Sequence, residues 1–386
     1  MTERPRPHVA PTRGVTLPNP LGRRAVVVGA GSFGTAVAVL LARGGFRTTL
    51  QTRTVEQADE LREARENARY LAGVELPQNL KIDSIESGPG RAEFIFLGVP
   101  SATLGEAVDR LEAQGLDRRS KVISLAKGLV PPLGVPPTVL LTERFGPHRV
   151  ACIGGPAHAR EMVTHGAGLV ASSADEELAS TIAAVFLRAG VVCEHTDDPV
   201  GVELAGAAKN AAALAAGATE GQGLNAAGAA AGHIFAEVWR LAEGMGAQPA
   251  TFIGLAGTGD LVATALAPQS RNRRAGELLA AGVARDEIPR RIGQAVEAFE
   301  SVPLLEAALH RAGVASPVTS GLVGLIRGTI PLDEWVALVR TTVPPPADWR
   351  DGPGPGRFRR WWDRLLERLA FQPERRERRE LPGPAD

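Results

Sequence analysis

The sequence predicts an α/β chain: an N-terminal Rossmann-like doubly wound sheet followed by an all-helical C-terminal domain. Three observations carry this. A β-branched run ends in a glycine-rich turn and passes into an apolar helix; strand and helix patterns then alternate as far as residue 199; beyond it no strand pattern recurs.

Composition sets the limits. With 386 residues, 44% hydrophobic and 22% charged, the chain is long enough for two domains with sizeable cores. Its 43 basic and 43 acidic residues cancel, so no overall field points to nucleic acid, and any anion must be held locally. Cys152 and Cys193 are the only cysteines and lack metal-ligand spacing, which implies no metal site and suits a reduced, cytoplasmic protein. No run approaches the roughly 18 to 20 apolar residues of a membrane helix, so no integral membrane segment is expected.

In chain order, residues 1–22 are rich in Pro, Arg and Gly, lack the apolar core of a secretory signal, and read as a disordered leader. The dinucleotide-binding domain, 23–199, opens with Arg24-Ala25-Val26-Val27-Val28 and the turn Gly29-Ala30-Gly31-Ser32-Phe33-Gly34. In such a turn the first glycine permits the bend, the second admits a pyrophosphate to the backbone, and the third lets helix pack on strand. The amides at the helix N-terminus then face the phosphates. Further strands are expected at 47–50, 94–99, 121–125, 150–153, 168–172 and 190–194, with another beginning at Lys81. Residues 200–342 form the helical substrate domain, and the cleft between the two domains is the expected ligand site. Residues 343–386 comprise a Pro/Gly linker and a basic amphipathic tail. Phe358, Trp361, Trp362, Leu365, Leu366 and Leu369 lie opposite Arg359, Arg360, Arg364 and Arg368, so 358–371 either docks on its own protein or makes a peripheral membrane contact.

Selectivity among dinucleotides is read at the end of the second strand. NAD-selective versions of the fold carry an acid about 20 positions beyond the glycines. Here the stretch is Gln51-Thr52-Arg53-Thr54, with Arg53 where a 2′-phosphate would lie, which points to NADP with NAD as the alternative.

Lysine occurs only at Lys81, Lys121, Lys127 and Lys209 in a chain otherwise supplied with arginine. A lysine kept against that bias marks a place needing a compact ammonium with an adjustable pKa. Lys81 and Lys121 begin strands and read as surface residues. Lys127 follows a strand end, where the ligand crevice of a parallel sheet lies. Lys209 sits among alanines and glycines. Asp260 and Thr264 are four apart and share a helix face if their segment is helical, and Ser270-Arg271-Asn272 offers hydroxyl, guanidinium and amide to a phosphate dianion.

The segments GAGSFGTA, VPSATLGEAV, ISLAKGL, GGPAHAREM, GVELAGAAKN, GLAGTGDLV, QSRNRRAGELL and GQAVEAFES, in that order, resemble the NAD(P)-dependent glycerol-3-phosphate dehydrogenase family of the bacterial biosynthetic type. The resemblance implies reversible reduction of dihydroxyacetone phosphate to sn-glycerol 3-phosphate for phospholipid synthesis, by a cytoplasmic protein that is commonly a homodimer. It implies Lys209 as proton donor and acceptor, Lys127 as a contact to substrate and cofactor, and Asp260 as the acid orienting them. It further implies Gly155, Thr264, Ser270, Arg271 and Asn272 at the substrate. Gly29, Gly31, Ser32, Phe33, Gly34, Arg53, Ala159, Arg271 and Glu297 would line the cofactor.

The chain departs from the family pattern at Ala126 and Ala157, where hydroxyls are usual, at Ala227, where a cation is usual, and at Gly232-His233, where a hydroxyl–arginine pair is usual. Two other readings therefore stand beside the first: a paralogue acting on another small carbonyl compound, and a catalytically silent NADP-binding regulator. Retention of Lys127, Lys209 and Asp260 argues against the silent one, since a site without chemistry has no need to bury paired cations.

Overall fold

The computed structural model describes residues 22–267 and 270–343. The leader and the 358–371 amphipathic stretch lie outside the described residues, as does the linker from residue 344 onward.

Eight strands form one sheet: β1 (Arg24–Val28), β2 (Arg47–Thr52), β3 (Lys81–Ser84), β4 (Phe94–Leu97), β5 (Lys121–Ser124), β6 (Val150–Gly154), β7 (Gly168–Ser172) and β8 (Val192–Thr196), in the spatial order β3-β2-β1-β4-β5-β6-β7-β8. The central strands are short, uninterrupted apolar runs. Phe94-Ile95-Phe96-Leu97 is buried throughout, as a strand must be when helices cover both faces of its sheet. The order reverses beside β1, and the turn Gly29–Gly34 opens there, at the position where doubly wound sheets take their ligands.

The sheet is parallel except at one place. β6 and β7 pair antiparallel, Ile153 opposite Ala171, while β7 and β8 are parallel to each other. A fully parallel sheet is the sequence expectation, and the connection explains the difference. Between β6 and β7 stands only the six-residue helix Ala159–Thr164, which packs against the helix Ser32–Arg43 instead of crossing back along the sheet. A parallel return usually runs through a full helix laid back along the sheet, which this short helix does not provide.

The helical domain is organised around the helix Pro199–Thr219, which is buried on nearly all sides. Its Ala/Gly composition is what allows helices to approach from several directions. A Cβ on Gly217 would lie 2.0 Å from the Arg273 carbonyl oxygen, and one on Gly276 would lie 2.0 Å from that of Leu214. The helix Arg271–Ala280 is thereby held hard against the one carrying Lys209. Glu237, on the helix Leu224–Gly244, caps the helix Pro317–Arg327, accepting hydrogen bonds from the amides of Val318 (3.0 Å) and Thr319 (2.9 Å) and from the Thr319 hydroxyl (2.6 Å). Burial leaves the Glu237 carboxyl raised, against the hydrogen bonds from Thr319 and Val318 and the smaller influence of His233 one turn earlier on the same helix.

Among the described residues no helix is long and apolar enough to cross a membrane, and no cluster of His, Cys, Asp and Glu is arranged to hold a metal. Cys152 and Cys193 are free and buried, and burial pushes both thiols up, Cys193 to about 12. Neither is a thiolate at neutral pH.

Candidate functional site

The glycine turn is built for a close ligand. Gly29 has φ +108°, and a Cβ there would meet the Gly98 carbonyl oxygen at 2.5 Å. A Cβ on Gly34 would meet the Gly29 oxygen at 2.1 Å, so strand and helix touch through backbone alone. At Gly31, the N-cap of the helix Ser32–Arg43, a Cβ would meet nothing within 4 Å. The first helical turn carries no acid, which leaves its N-terminal field positive, as a pyrophosphate requires. Asn67 pins the turn from behind, donating to the Ala30 carbonyl at 2.9 Å and the Thr35 hydroxyl at 2.8 Å. At the end of β2, Arg53 is exposed and its guanidinium makes no ion pair among the described residues.

Lys127 stands on the loop after β5. Its ammonium donates to the Gly155 carbonyl and to Asp260 Oδ2, each at 3.0 Å, and lies 5.3 Å from the centroid of the Phe33 ring. Gly155 has φ +98°, and a Cβ on it would clash with the Gly168 carbonyl oxygen at 2.4 Å. Asp260 begins the helix Asp260–Leu266, directly after a π-helical turn at Leu255–Gly259. Turns of that type recur at functional sites. The expected face-sharing is present, with the Thr264 hydroxyl donating to Asp260 Oδ1 at 3.4 Å. Lys209 Nζ reaches the same Oδ1 at 3.5 Å. One carboxylate therefore sits between two ammoniums, with side-chain exposures of 3% for Asp260, 11% for Lys209 and 15% for Lys127.

The electrostatics follow from that burial. Lys209 is held below the usual lysine value chiefly by desolvation; Asp260 pulls it up, Lys127 pushes it down, and Glu297 pulls it up. For Asp260, burial would raise the carboxyl, but the charges of Lys127 and Lys209 and the Lys127 hydrogen bond outweigh it and leave the group below its ordinary value.

Asn210, next to Lys209, ties the centre to its surroundings. Its amide donates to the Lys127 carbonyl at 3.0 Å and to Glu297 Oε2 at 3.4 Å, and it accepts from Asn272 Nδ2 at 2.9 Å. Asn272 Oδ1 in turn accepts from the Ala298 amide at 3.3 Å. Arg271, at the start of the helix Arg271–Ala280, donates to the Ala295 carbonyl at 3.2 Å and meets Glu297 at 3.5 Å. The Ser270 hydroxyl caps that helix by accepting from the Arg273 amide at 3.4 Å. Ala159 heads the helix Ala159–Thr164, and the adjacent His158 ring lies 3.4 Å from the Ala263 carbonyl on the Asp260 helix. Sequence reasoning gave Asn67 and Asn210 no part in the site. Asn210 had a local signal, being the one uncharged polar residue between Leu204 and Gly217, whereas the role of Asn67 depends wholly on tertiary contact.

Comparison with known proteins identifies the family. Residues 24–179 match the model of the NAD-dependent glycerol-3-phosphate dehydrogenase N-terminus, and residues 198–337 match that of its C-terminus. The chain belongs to this family. It is similar to the glycerol-3-phosphate dehydrogenase (NAD(P)+) of Lysinibacillus sphaericus, 35% identical over 307 residues that cover 78% of this chain and 90% of that protein. A second relative with the same name, from Azotobacter vinelandii, is 36% identical over 304 residues, covering 78% and 89%. The crystal structure of glycerol-3-phosphate dehydrogenase from Coxiella burnetii superposes with a TM-score of 0.77 at 28% identity, covering 83% of this chain and 99% of that one. Within the glycerol-3-phosphate dehydrogenase family frame, both lysines, Asp260 and Arg271 fall inside the matched segments.

Proposed function

We propose that this protein reduces dihydroxyacetone phosphate to sn-glycerol 3-phosphate with NADPH, reversibly, as a cytoplasmic homodimer that supplies phospholipid synthesis. The observation that carries the chemistry is the buried Lys127–Asp260–Lys209 cluster beside the glycine turn. When bound, the reduced nicotinamide supplies hydride to the ketone carbon. Lys209 then gives its ammonium proton to the carbonyl oxygen as negative charge develops there, and takes it back from the alcohol in the reverse direction. Lys127 adds a second positive charge, and Asp260 fixes both ammoniums. Gly155 and Thr264 shape the substrate's seat. Arg271, with the helix N-terminus that Ser270 caps and Asn272 braces, receives the phosphate. Gly29, Gly31, Ser32, Phe33, Gly34, Ala159 and Glu297 line the dinucleotide.

Purified protein should oxidise NADPH with dihydroxyacetone phosphate and not with unphosphorylated dihydroxyacetone. Equal turnover of the two would sink the proposal. Arg271→Ala should raise KM for the phosphorylated substrate by about 10- to 150-fold, the equivalent of one charge-assisted hydrogen bond, and spare NADPH affinity more than substrate affinity. A KM within twofold of wild type would remove Arg271 from the clamp. At the cofactor's other end, Arg53→Ala should weaken NADPH by up to about fivefold while leaving NADH unchanged, since a surface ion pair is worth up to about 1 kcal/mol. Steady-state KM values with each cofactor check this, and equal effects on both would show that Arg53 does not read the 2′-phosphate.

A further inference from the structure

Glu203 is the only acid on the helix Pro199–Thr219 and lies six residues before Lys209. It is 4% exposed and takes no part in the proton transfer described above. Its carboxyl reaches across to the nucleotide-binding domain, where it accepts from the Thr138 amide at 3.1 and 3.0 Å and from the Thr138 hydroxyl at 2.6 Å. Thr138 occupies the first turn of the helix Pro137–Phe145, whose own N-cap, Pro136, offers no side-chain cap. The Thr138 amide, at the start of that helix, is therefore satisfied from the other domain.

The same face of the Lys209 helix holds the other end of the segment. Glu203, Gly206 and Asn210 fall at i, i+3 and i+7, one stripe of an α-helix. A Cβ on Gly206 would lie 3.9 Å from Lys127 Cβ, and Asn210 donates to the Lys127 carbonyl at 3.0 Å. Between these anchors the loop closes on itself, with the Val130 amide donating to the Val135 carbonyl at 2.8 Å. The stretch from Lys127 to Thr138 is thus clamped at both ends to the helix that carries Lys209.

We infer that Glu203 is a positioning residue: through Thr138 it sets where the Lys127 loop sits on the Lys209 helix, and so sets the spacing of both ammoniums on Asp260. The inference rests on the dehydrogenase reading proposed above. Burial pushes the Glu203 carboxyl up to about 8, against the hydrogen bonds from Thr138. Glutamine, neutral and of the same size, is then the natural conservative replacement.

The test compares Glu203→Ala, Glu203→Gln, Thr138→Val and the Glu203→Ala/Thr138→Val pair in the full chain. Small displacements of catalytic groups cost up to about 100-fold, so Glu203→Ala is expected to lower kcat about 10- to 100-fold with KM for dihydroxyacetone phosphate within about twofold. Glu203→Gln should recover most of that loss, and the double variant should be no worse than Glu203→Ala alone, because both changes break one contact. Thr138→Val keeps the backbone amide and the side-chain volume, so it remains informative if Glu203→Ala does not fold.

A second readout is independent of turnover. With lysine only at Lys81, Lys121, Lys127 and Lys209, protein labelled with 13C-lysine gives a sparse set of ε-carbon signals. That of Lys209 should titrate at altered pH in Glu203→Ala and Thr138→Val, and as in wild type in Glu203→Gln. If wild type has no activity on dihydroxyacetone phosphate, the function proposal fails while the titrations still decide this one. Folded Thr138→Val or Glu203→Ala with wild-type kcat and wild-type lysine titrations would overturn it.

Discussion

Replacing Lys209 with methionine is expected to lower kcat for dihydroxyacetone phosphate reduction by about 10³- to 10⁴-fold, the range of a general acid that also stabilises developing charge. KM for NADPH should change little. Methionine preserves the length of the stem on this buried helix, and the variant leaves Asp260 paired with Lys127 at 3.0 Å, so no buried charge is orphaned. Loss of activity would then be chemical and not structural. The pH dependence is specific too. Lys209 is held below the usual lysine value, mainly by desolvation, so kcat for reduction should fall as pH rises through that lowered value, while oxidation should gain. Between the folded value and the unfolded one, near 10.5, the unfolded chain binds more protons, and stability rises with pH across that window. Lys209→Met should remove this rise. Paired pH profiles of kcat and of urea midpoints check both signs, and turnover within tenfold of wild type would exclude Lys209 as the proton donor.

What the sequence discloses and what it withholds divide along the range of the interaction. The turn Gly29–Gly34 is legible because its constraints are local: strand, bend and helix start are neighbours in the chain. The Asp260–Thr264 pairing is legible for the same reason, needing only helical periodicity. Lys127 and Lys209 stand out because lysine is scarce, yet their convergence on one carboxylate joins residues 127, 209 and 260 and exists only once both domains are packed. The bonds joining Asn210 to Asn272 and Glu297, and the Glu203 cap on Thr138, are not legible, since an Asn or Glu in an alanine-rich helix looks the same whether it faces solvent or a partner. The reversed strand β7 is hidden likewise. Its residues have the pattern of any buried strand, and direction depends on where the short helix of the preceding connection docks.

Asp260→Asn provides the complementary test, because it keeps the shape of the centre and removes only the charge that balances it. Two ammoniums would then lie in a cavity where their side chains are 11% and 15% exposed, facing an amide. Breaking a buried pair by removing one partner costs about 3 to 5 kcal/mol; the amide oxygen still accepts from Lys127, so a loss of about 3 kcal/mol at pH 7 is expected. The carboxyl's folded pKa lies below its unfolded value of 3.8. Its contribution is therefore fully present above 3.8 and lost as pH falls through the folded value, and the stability gap between wild type and Asp260→Asn should close in that acid window. Urea unfolding from pH 7 down to about pH 2 measures the gap, and one that stays constant with pH would mean that the carboxylate does not balance the lysines. The same substitution removes the largest influence raising Lys209, so the pH at which reduction fails should move lower than in wild type. The two shifts have one cause: the charge that stabilises the fold at this point is also the charge that keeps the proton donor protonated.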